Sequence, residues 1–173
     1  MDIGAKGYSI WLIPEKNIFD RLQSLILKLS KRYNTPAFDP HVTLAGGLMG
    51  NEEEIIRKTI LLADKIYSFN INLSSVLYMD NLQKCLFIEV SGSKELITAN
   101  ENTKNIFKLQ KDSEFLPHLS LIYGQLPEQE KKEIVKMIGQ DQSNLNFKVN
   151  KIHLFLTNGD IESWRKIKEI PLK

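Results

Sequence analysis

Apolar and polar positions follow two periods along this chain, and the changes of period mark its elements. Tyr8-Ser9-Ile10-Trp11-Leu12-Ile13 is rich in aromatic and β-branched residues and stops at Pro14, which predicts a strand. From about Asn17 to Arg32, Ile18, Phe19, Leu22, Leu25, Ile26 and Leu29 recur at three- and four-residue steps, and Asn34-Thr35-Pro36 ends the pattern, so an amphipathic helix follows. A short strand from His41 to Leu44 stops at Gly46-Gly47. Asn51 and Glu54 then have the spacing of a capping box ahead of Ile55, Ile56, Ile60 and Ala63, a second helix. Loose alternation through Phe69, Ile71, Leu73, Val76 and Tyr78, a turn near Asp80-Asn81, and the run Cys85 to Val90 predict a strand pair.

Ser93 caps a third helix carrying Leu96, Ile97, Asn100, Ile106 and Phe107, and a strand runs from His118 to Tyr123. Pro127 suits the first position of a fourth helix, with Ile134, Met137 and Ile138, closing at Gly139. Phe147 to Leu156 reads as one long strand, Asn158-Gly159 as a two-residue hairpin turn, and Ser163 to Ile170 as the antiparallel return. The order is β-α-β-α-β-β-α-β-α-β-β, an α+β chain with mainly antiparallel sheets.

Length and charge narrow the function. At 173 residues the chain suits a single domain, residues 1–173, and 42% hydrophobic with 25% charged residues is an ordinary globular composition. No uncharged run approaches the roughly 20 apolar residues that span a bilayer, and the first residues lack a secretory profile, so a cytoplasmic or nuclear protein without a membrane partner is expected. Lys and Arg number 23 against 21 Asp and Glu, too even a balance to drive binding along a nucleic-acid backbone. The one cysteine, Cys85, lies in an apolar run and reads as a small core residue. Neither a glycine-rich dinucleotide motif nor a Gly-Lys-Ser/Thr phosphate loop is present, so no cofactor is expected, and with three histidines forming no zinc-type cluster any metal would have to be held by carboxylates and water.

One internal echo carries chemistry. Phe38-Asp39-Pro40-His41-Val42-Thr43-Leu44 matches Phe115-Leu116-Pro117-His118-Leu119-Ser120-Leu121 in Phe, in Pro before His, in an aliphatic residue, in a β-hydroxyl residue and in Leu. Two scattered structural histidines would have no reason to share this context. On a strand, residues i and i+2 point to one face, so His41 with Thr43 and His118 with Ser120 each form a polar edge, while Val42, Leu44, Leu119 and Leu121 point into a core. If the copies face each other, two imidazoles and two hydroxyls converge. In-line displacement at phosphorus needs a base on the attacking oxygen, an acid on the departing oxygen, and donors to the oxygens between them. Histidine suits both proton roles, because its ordinary pKa of about 6.5 leaves both forms available near neutrality.

These paired motifs resemble those of the two-histidine (2H) phosphoesterase superfamily. Together with Tyr8-Ser9-Ile10-Trp11-Leu12-Ile13-Pro14 at the start and Pro117-His118-Leu119-Ser120-Leu121-Ile122-Tyr123 later, they resemble its plant and fungal cyclic phosphodiesterase branch, over most of the chain and in order. The resemblance implies a LigT-like fold of two lobes related by a pseudo-two-fold axis, with antiparallel sheets lining a central cleft and helices outside. It implies metal-independent hydrolysis of 2′,3′-cyclic phosphates on ribose: nucleoside 2′,3′-cyclic phosphates to 2′-phosphates, and ADP-ribose 1″,2″-cyclic phosphate, a by-product of one route of tRNA splicing, to the 1″-phosphate. His41, His118, Thr43 and Ser120 are the expected catalytic residues, and Trp11 and Tyr123 the aromatics that border the cleft and stack on a base. Plant relatives often carry several cysteines, a feature this chain lacks, and Ala45-Gly46-Gly47 after the first motif is small enough to widen the cleft.

Which histidine is base and which is acid stays open at this level. His153 has Phe155 where a hydroxyl would follow at i+2 and reads as structural, and Glu52-Glu53-Glu54 reads as the acidic first turn of a helix. Two other functions share the motifs: a 2′–5′ RNA ligase-like or RNA-end-processing phosphodiesterase, and a non-catalytic module that binds nucleotides or RNA ends. The expected partner is a small cyclic phosphate, with RNA ends as the alternative, and a monomer suffices for this chemistry.

Overall fold

Eight strands and four α-helices form among the described residues of the computed structural model, which are residues 1–110, 115–142 and 145–173. In chain order they are β1 (Tyr8–Leu12), α1 (Lys16–Tyr33), β2 (Val42–Leu48), α2 (Glu52–Ala63), β3 (Phe69–Tyr78), β4 (Leu86–Val90), α3 (Lys94–Phe107), β5 (His118–Ile122), α4 (Glu128–Gln142), β6 (Asn146–Val149), β7 (Lys151–Leu156) and β8 (Arg165–Pro171). The strands lie in the order β6-β3-β4-β5-β2-β1-β7-β8, and every neighbouring pair is antiparallel. That order is two four-stranded halves meeting at β5 and β2. Within it, β1-α1-β2-α2 and β4-α3-β5-α4 are the same succession of elements, so the repeated sequence motif belongs to a repeated β-α-β-α unit.

The halves are locked by exchange. Helix α1 packs on β5, the strand of the other half at the middle of the sheet, and α3 packs reciprocally on β2. Leu22, Ile26 and Leu29 of α1 are buried, as are Leu96 and Ala99 of α3, and they meet the apolar side of strands that carry Val42, Leu44, Leu119 and Leu121. Burying an aliphatic side chain of this size contributes roughly 1.5–3 kcal/mol, so the helix-facing side of the sheet holds the fold and frees the other side for polar residues. Cys85 is a free, buried core residue.

Local signals behave mostly as their chemistry dictates. Helix α1 ends at Asn34 in a left-handed conformation (φ 51°), with its N–H on the Ser30 carbonyl. Asn51 caps α2 by accepting from Glu53 N, but the reciprocal half of the capping box does not form, because Glu54 pairs with Lys58 at 2.7 Å. Ser93 caps α3 through Leu96 N. Pro127 stands one residue ahead of α4, its carbonyl accepting from Lys131 N, and the helix continues through Gly139 to Gln142.

Two expectations at the C-terminal end need correction. The long strand is interrupted at Asn150, so β6 pairs with β3 at one edge of the sheet while β7 pairs with β1 and β8 on the other half. Asn158-Gly159 does not form a two-residue hairpin: Leu156 pairs with Arg165, and the intervening loop carries a 3₁₀ turn over Ile161–Ser163. The Asn158 side chain is taken up elsewhere, accepting from Gly7 N at 2.5 Å, which ties the loop to the start of β1. No helix among the described residues is long and apolar enough to cross a membrane.

Strands β2 and β5 share one register pair, Val42 with Leu119, and then separate. Where they part, the buried Asn100 of α3 donates Nδ2 to the Leu44 carbonyl at 2.9 Å. Losing this bond strands a buried carbonyl, so Asn100→Ala is expected to lower unfolding free energy by about 1–3 kcal/mol, read from the shift of the urea midpoint.

Candidate active site

The Val42–Leu119 pair decides the arrangement of the two motifs. In an antiparallel pair the two positions flanking a register pair oppose each other crosswise, so His41 falls opposite Ser120 and Thr43 opposite His118, all four on one face. At that pair the strands are one spacing apart, about 4.8 Å, and they part beyond it. A cavity of about 400 Å³ opens on this face, and His41, Thr43 and His118 line it.

Each histidine is held by its own backbone. His41 Nδ1 lies 2.6 Å from the Asp39 carbonyl, and His118 Nδ1 lies 2.9 Å from the Leu116 carbonyl. A carbonyl accepts only, so Nδ1 carries the proton in both rings and Nε2 is left with its lone pair. The proline between the two residues explains the recurrence: Pro40 and Pro117 fix their own φ and hold Asp39 and Leu116 extended, which turns the carbonyl toward the ring two residues on. The Phe-x-Pro-His motif thus encodes a tautomer.

The two sites differ in burial. His41 is 4% exposed, stacked on Trp11 with ring centroids 3.6 Å apart and 9° between planes, and Nε2 accepts from the Tyr123 hydroxyl at 3.4 Å. Burial pushes its pKa down to about 4, with the Asp39 hydrogen bond opposing and the nearby His118 adding to the fall. His118 is half-buried, meets the Phe87 ring edge-on at 5.4 Å, and is lowered by burial, against the Leu116 hydrogen bond, with a further contribution from Lys84. Tyr123 is buried and pushed up to about 12, so its hydroxyl stays protonated as a donor.

The remaining expected residues fall less evenly. Ser120 is 3% exposed, donates to the Gln83 carbonyl at 3.0 Å, and lies behind the lining, in contrast to Thr43. Trp11 and Tyr123 border the cavity but expose only 3% and 6% of their surface, too little to offer a base an open ring face. Trp11 stacks on His41 and Phe155, and Tyr123 stacks on Phe38 with centroids 4.0 Å apart. Both pack around His41, Trp11 by stacking and Tyr123 through its hydroxyl. The aromatic with surface to spare is Trp164, half-buried, edge-on to Trp11 at 5.7 Å and to Tyr123 at 6.1 Å, on the same wall. Sequence reading passed over Trp164, whose signal was an isolated large aromatic between the polar Ser163 and Arg165. Gln83 and the buried hydroxyl pair Ser9–Thr157, 3.1 Å apart, also line the cavity and left no motif.

Gly46 and Gly47 line the cavity as well, and a Cβ on Gly46 would stand 3.2 Å from Ser9 Oγ, so the small residues after the first motif do open this space. His153 lies outside it. That ring is buried beside Trp11 in register, its Nδ1 is 3.4 Å from the Glu169 carboxylate without hydrogen-bond alignment, and burial holds its pKa down at about 4.

Comparison with known proteins places the chain. The model of the cyclic phosphodiesterase-like protein family matches residues 6–172. The chain belongs to this family. A cyclic phosphodiesterase of Arabidopsis thaliana is 26% identical over 166 residues, covering 92% of each chain. A 2′,3′-cyclic-nucleotide 3′-phosphodiesterase of Yarrowia lipolytica is 22% identical, over 91% of this chain and 96% of its own. The crystal structure of Escherichia coli LigT in complex with 3′-AMP superposes with a TM-score of 0.63 at 14% identity, over 97% of this chain and 98% of that one, which shows the shared LigT-like fold. This member of the family is a phosphodiesterase with the two-histidine fold.

Because burial favours the uncharged imidazoles, the unfolded chain binds more protons than the folded one between pH 6.5 and 4. The stabilising difference is present above the ordinary histidine pKa and is lost as pH falls through this window. His41 alone accounts for on the order of 3 kcal/mol of that loss. Urea midpoints are expected to fall steeply from pH 6.5 to 4, and less steeply in His41→Gln. Nitrogen-detected NMR at pH 7 should show both site histidines neutral and protonated on Nδ1.

Proposed function

We propose that this phosphodiesterase hydrolyses 2′,3′-cyclic phosphates on ribose by proton transfer through His41 and His118. The observation that carries the reading is the pair of backbone-locked imidazoles, each with Nε2 unprotonated, on one cavity of about 400 Å³. The names of the Arabidopsis and Yarrowia relatives support cyclic phosphate as the substrate class.

The balance of the step follows from the two rings. One Nε2 takes a proton from water as its oxygen attacks phosphorus. The other imidazole, protonated, donates to the departing ribose 3′-oxygen as the P–O3′ bond breaks, leaving a 2′-phosphate. A bound phosphodiester anion offsets the desolvation that keeps both rings neutral in the free protein, and so favours the protonated form of one of them. The Thr43 hydroxyl lines the cavity and donates to a non-bridging oxygen. Ser120 supports the site from behind, since its proton is held by the Gln83 carbonyl until the hydroxyl turns. Trp164, in place of Trp11 or Tyr123, is the face on which a base stacks. ADP-ribose 1″,2″-cyclic phosphate carries the same five-membered cyclic phosphate on the neighbouring edge of a ribose, and this reading includes it as a substrate whose P–O2″ bond breaks to leave the 1″-phosphate. The side chains already present supply every proton and donor this step requires, so the reaction runs without a metal.

Phosphorus NMR of the protein with 2′,3′-cyclic AMP in chelator tests the reading through turnover, product isomer and metal independence together. Release of 2′-AMP is expected. General acid–base groups typically contribute 10²–10⁴ in rate, so His41→Ala and His118→Ala should each lower kcat by at least about 10², and retained activity in both would overturn the mechanism. Both rings being lowered, the pH profile of kcat/KM is expected to be a bell centred below 6.5. Trp164→Ala should raise KM several-fold while changing kcat little.

A further inference from the structure

A second cavity, of about 250 Å³, lies where β2 and β5 part beyond the Val42–Leu119 pair. It shares Thr43, Gly46 and His118 with the main cavity, so the two adjoin across the candidate catalytic residues. Its far wall is different in kind. Lys84 and Lys104 line it, Leu109 and Phe115 supply an apolar side, and no carboxylate lines it among the described residues.

Lys84 is half-buried and its ammonium has no hydrogen bond or ion pair among the described residues. A cation in that position loses hydration without gaining a partner, a cost that an anion in the cavity would offset. Its field already reaches the reaction centre, where it lowers the pKa of His118. The wall between the lysines and β2 is fixed, because Asn100 is buried and holds the Leu44 carbonyl.

We propose that this second cavity is an anion subsite for a phosphoryl group on the 5-oxygen of the same ribose whose cyclic phosphate lies between His41 and His118. The proposal rests on the cyclic-phosphate reading above and extends it from the reacting group to the rest of the substrate. A ribose with a cyclic phosphate on its 2,3-edge or its 1,2-edge projects its 5-oxygen to the opposite face of the ring. The adjoining cavities provide the corresponding pair of places: a reaction centre, and a basic pocket one wall away. The chemistry is shared by two sources, the phosphodiester that joins a terminal RNA nucleotide to its chain and the diphosphate of a nucleoside-diphosphate ribose.

The test compares adenosine 2′,3′-cyclic phosphate with the same compound phosphorylated on O5′. At low ionic strength the kcat/KM ratio is expected to favour the 5′-phosphorylated compound by about tenfold, and to fall about fivefold in Lys84→Gln and further in Lys84→Gln/Lys104→Gln. A ratio of one or less, or one that neither change moves, overturns the subsite. Calorimetry supplies a readout independent of turnover: adenosine 2′,5′-bisphosphate should bind more tightly than 2′-AMP, and the lysine changes should narrow that difference. Absence of hydrolysis with the binding difference intact overturns the proposed reaction and leaves the subsite standing, whereas hydrolysis with a flat binding difference does the reverse. A dinucleotide ending in a cyclic phosphate and an ADP-linked ribose cyclic phosphate separate the sources. Lysine dependence in either arm supports the subsite and names its ligand, and dependence in neither overturns it.

Discussion

One antiparallel register pair, Val42 with Leu119, is the constraint on which the rest of this molecule depends. Antiparallel pairing of two copies of one motif creates a local two-fold axis, so whatever chemistry the motif carries on its polar face is delivered twice, from opposite directions. Because side chains alternate along a strand, the same pairing sends the aliphatic residues of both copies into the core. A slip of one residue would exchange the two faces, burying the imidazoles among α1 and α3 and exposing Val42, Leu44, Leu119 and Leu121. The reciprocal packing of α1 on β5 and α3 on β2 opposes that slip, since each half supplies the helix that covers the central strand of the other.

Within that frame, the backbone rather than the side-chain surroundings prepares each histidine. The carbonyl two residues back takes the Nδ1 proton, and the intervening proline restricts the turn that brings it there. Both rings therefore enter the cavity neutral with an Nε2 lone pair, a state that burial reinforces by opposing their charged forms. The arrangement couples the state of the rings to stability: the desolvation that keeps both imidazoles neutral also makes the fold sensitive to acid.

The two-fold is approximate, and its departures are where substrate asymmetry can be read. One histidine is enclosed by Trp11, Tyr123 and Phe38, whereas its counterpart is half-open beside Phe87 and Lys84. Thr43 reaches the cavity and Ser120 turns back to Gln83. A ribose cyclic phosphate is itself unsymmetrical, with a base on one side and a 5-oxygen on another. Aromatic walls on one flank and lysines on the other give the two sides of the site different chemistry, which a perfect duplicate could not provide.

The repeat of Pro-His-aliphatic-hydroxyl was legible along the chain because a strand has a fixed period of two, and the α+β order followed from changes of period that helices and strands impose locally. Those signals put His41, Thr43, His118 and Ser120 on one face of their strands and the aliphatic neighbours on the other. They did not reach the splitting of the last long strand at Asn150, which follows from its two parts joining opposite ends of the sheet, nor the longer loop at Asn158-Gly159, whose Asn side chain serves Gly7 at the start of β1. Nor could they tell an aromatic that packs on its neighbours from one with a free face: Trp11, Tyr123 and Trp164 read alike in the chain and differ only in what the fold stacks against them. The primary structure by itself determined which groups could do chemistry and on which side of a strand they stand, because those are local properties of residue type and period. Tertiary structure alone decided which of them share a cavity, how far each is stripped of water, and that Lys84 of the β3–β4 turn and Lys104 of α3 line one cavity with His118, because distance and desolvation arise only when remote segments pack together.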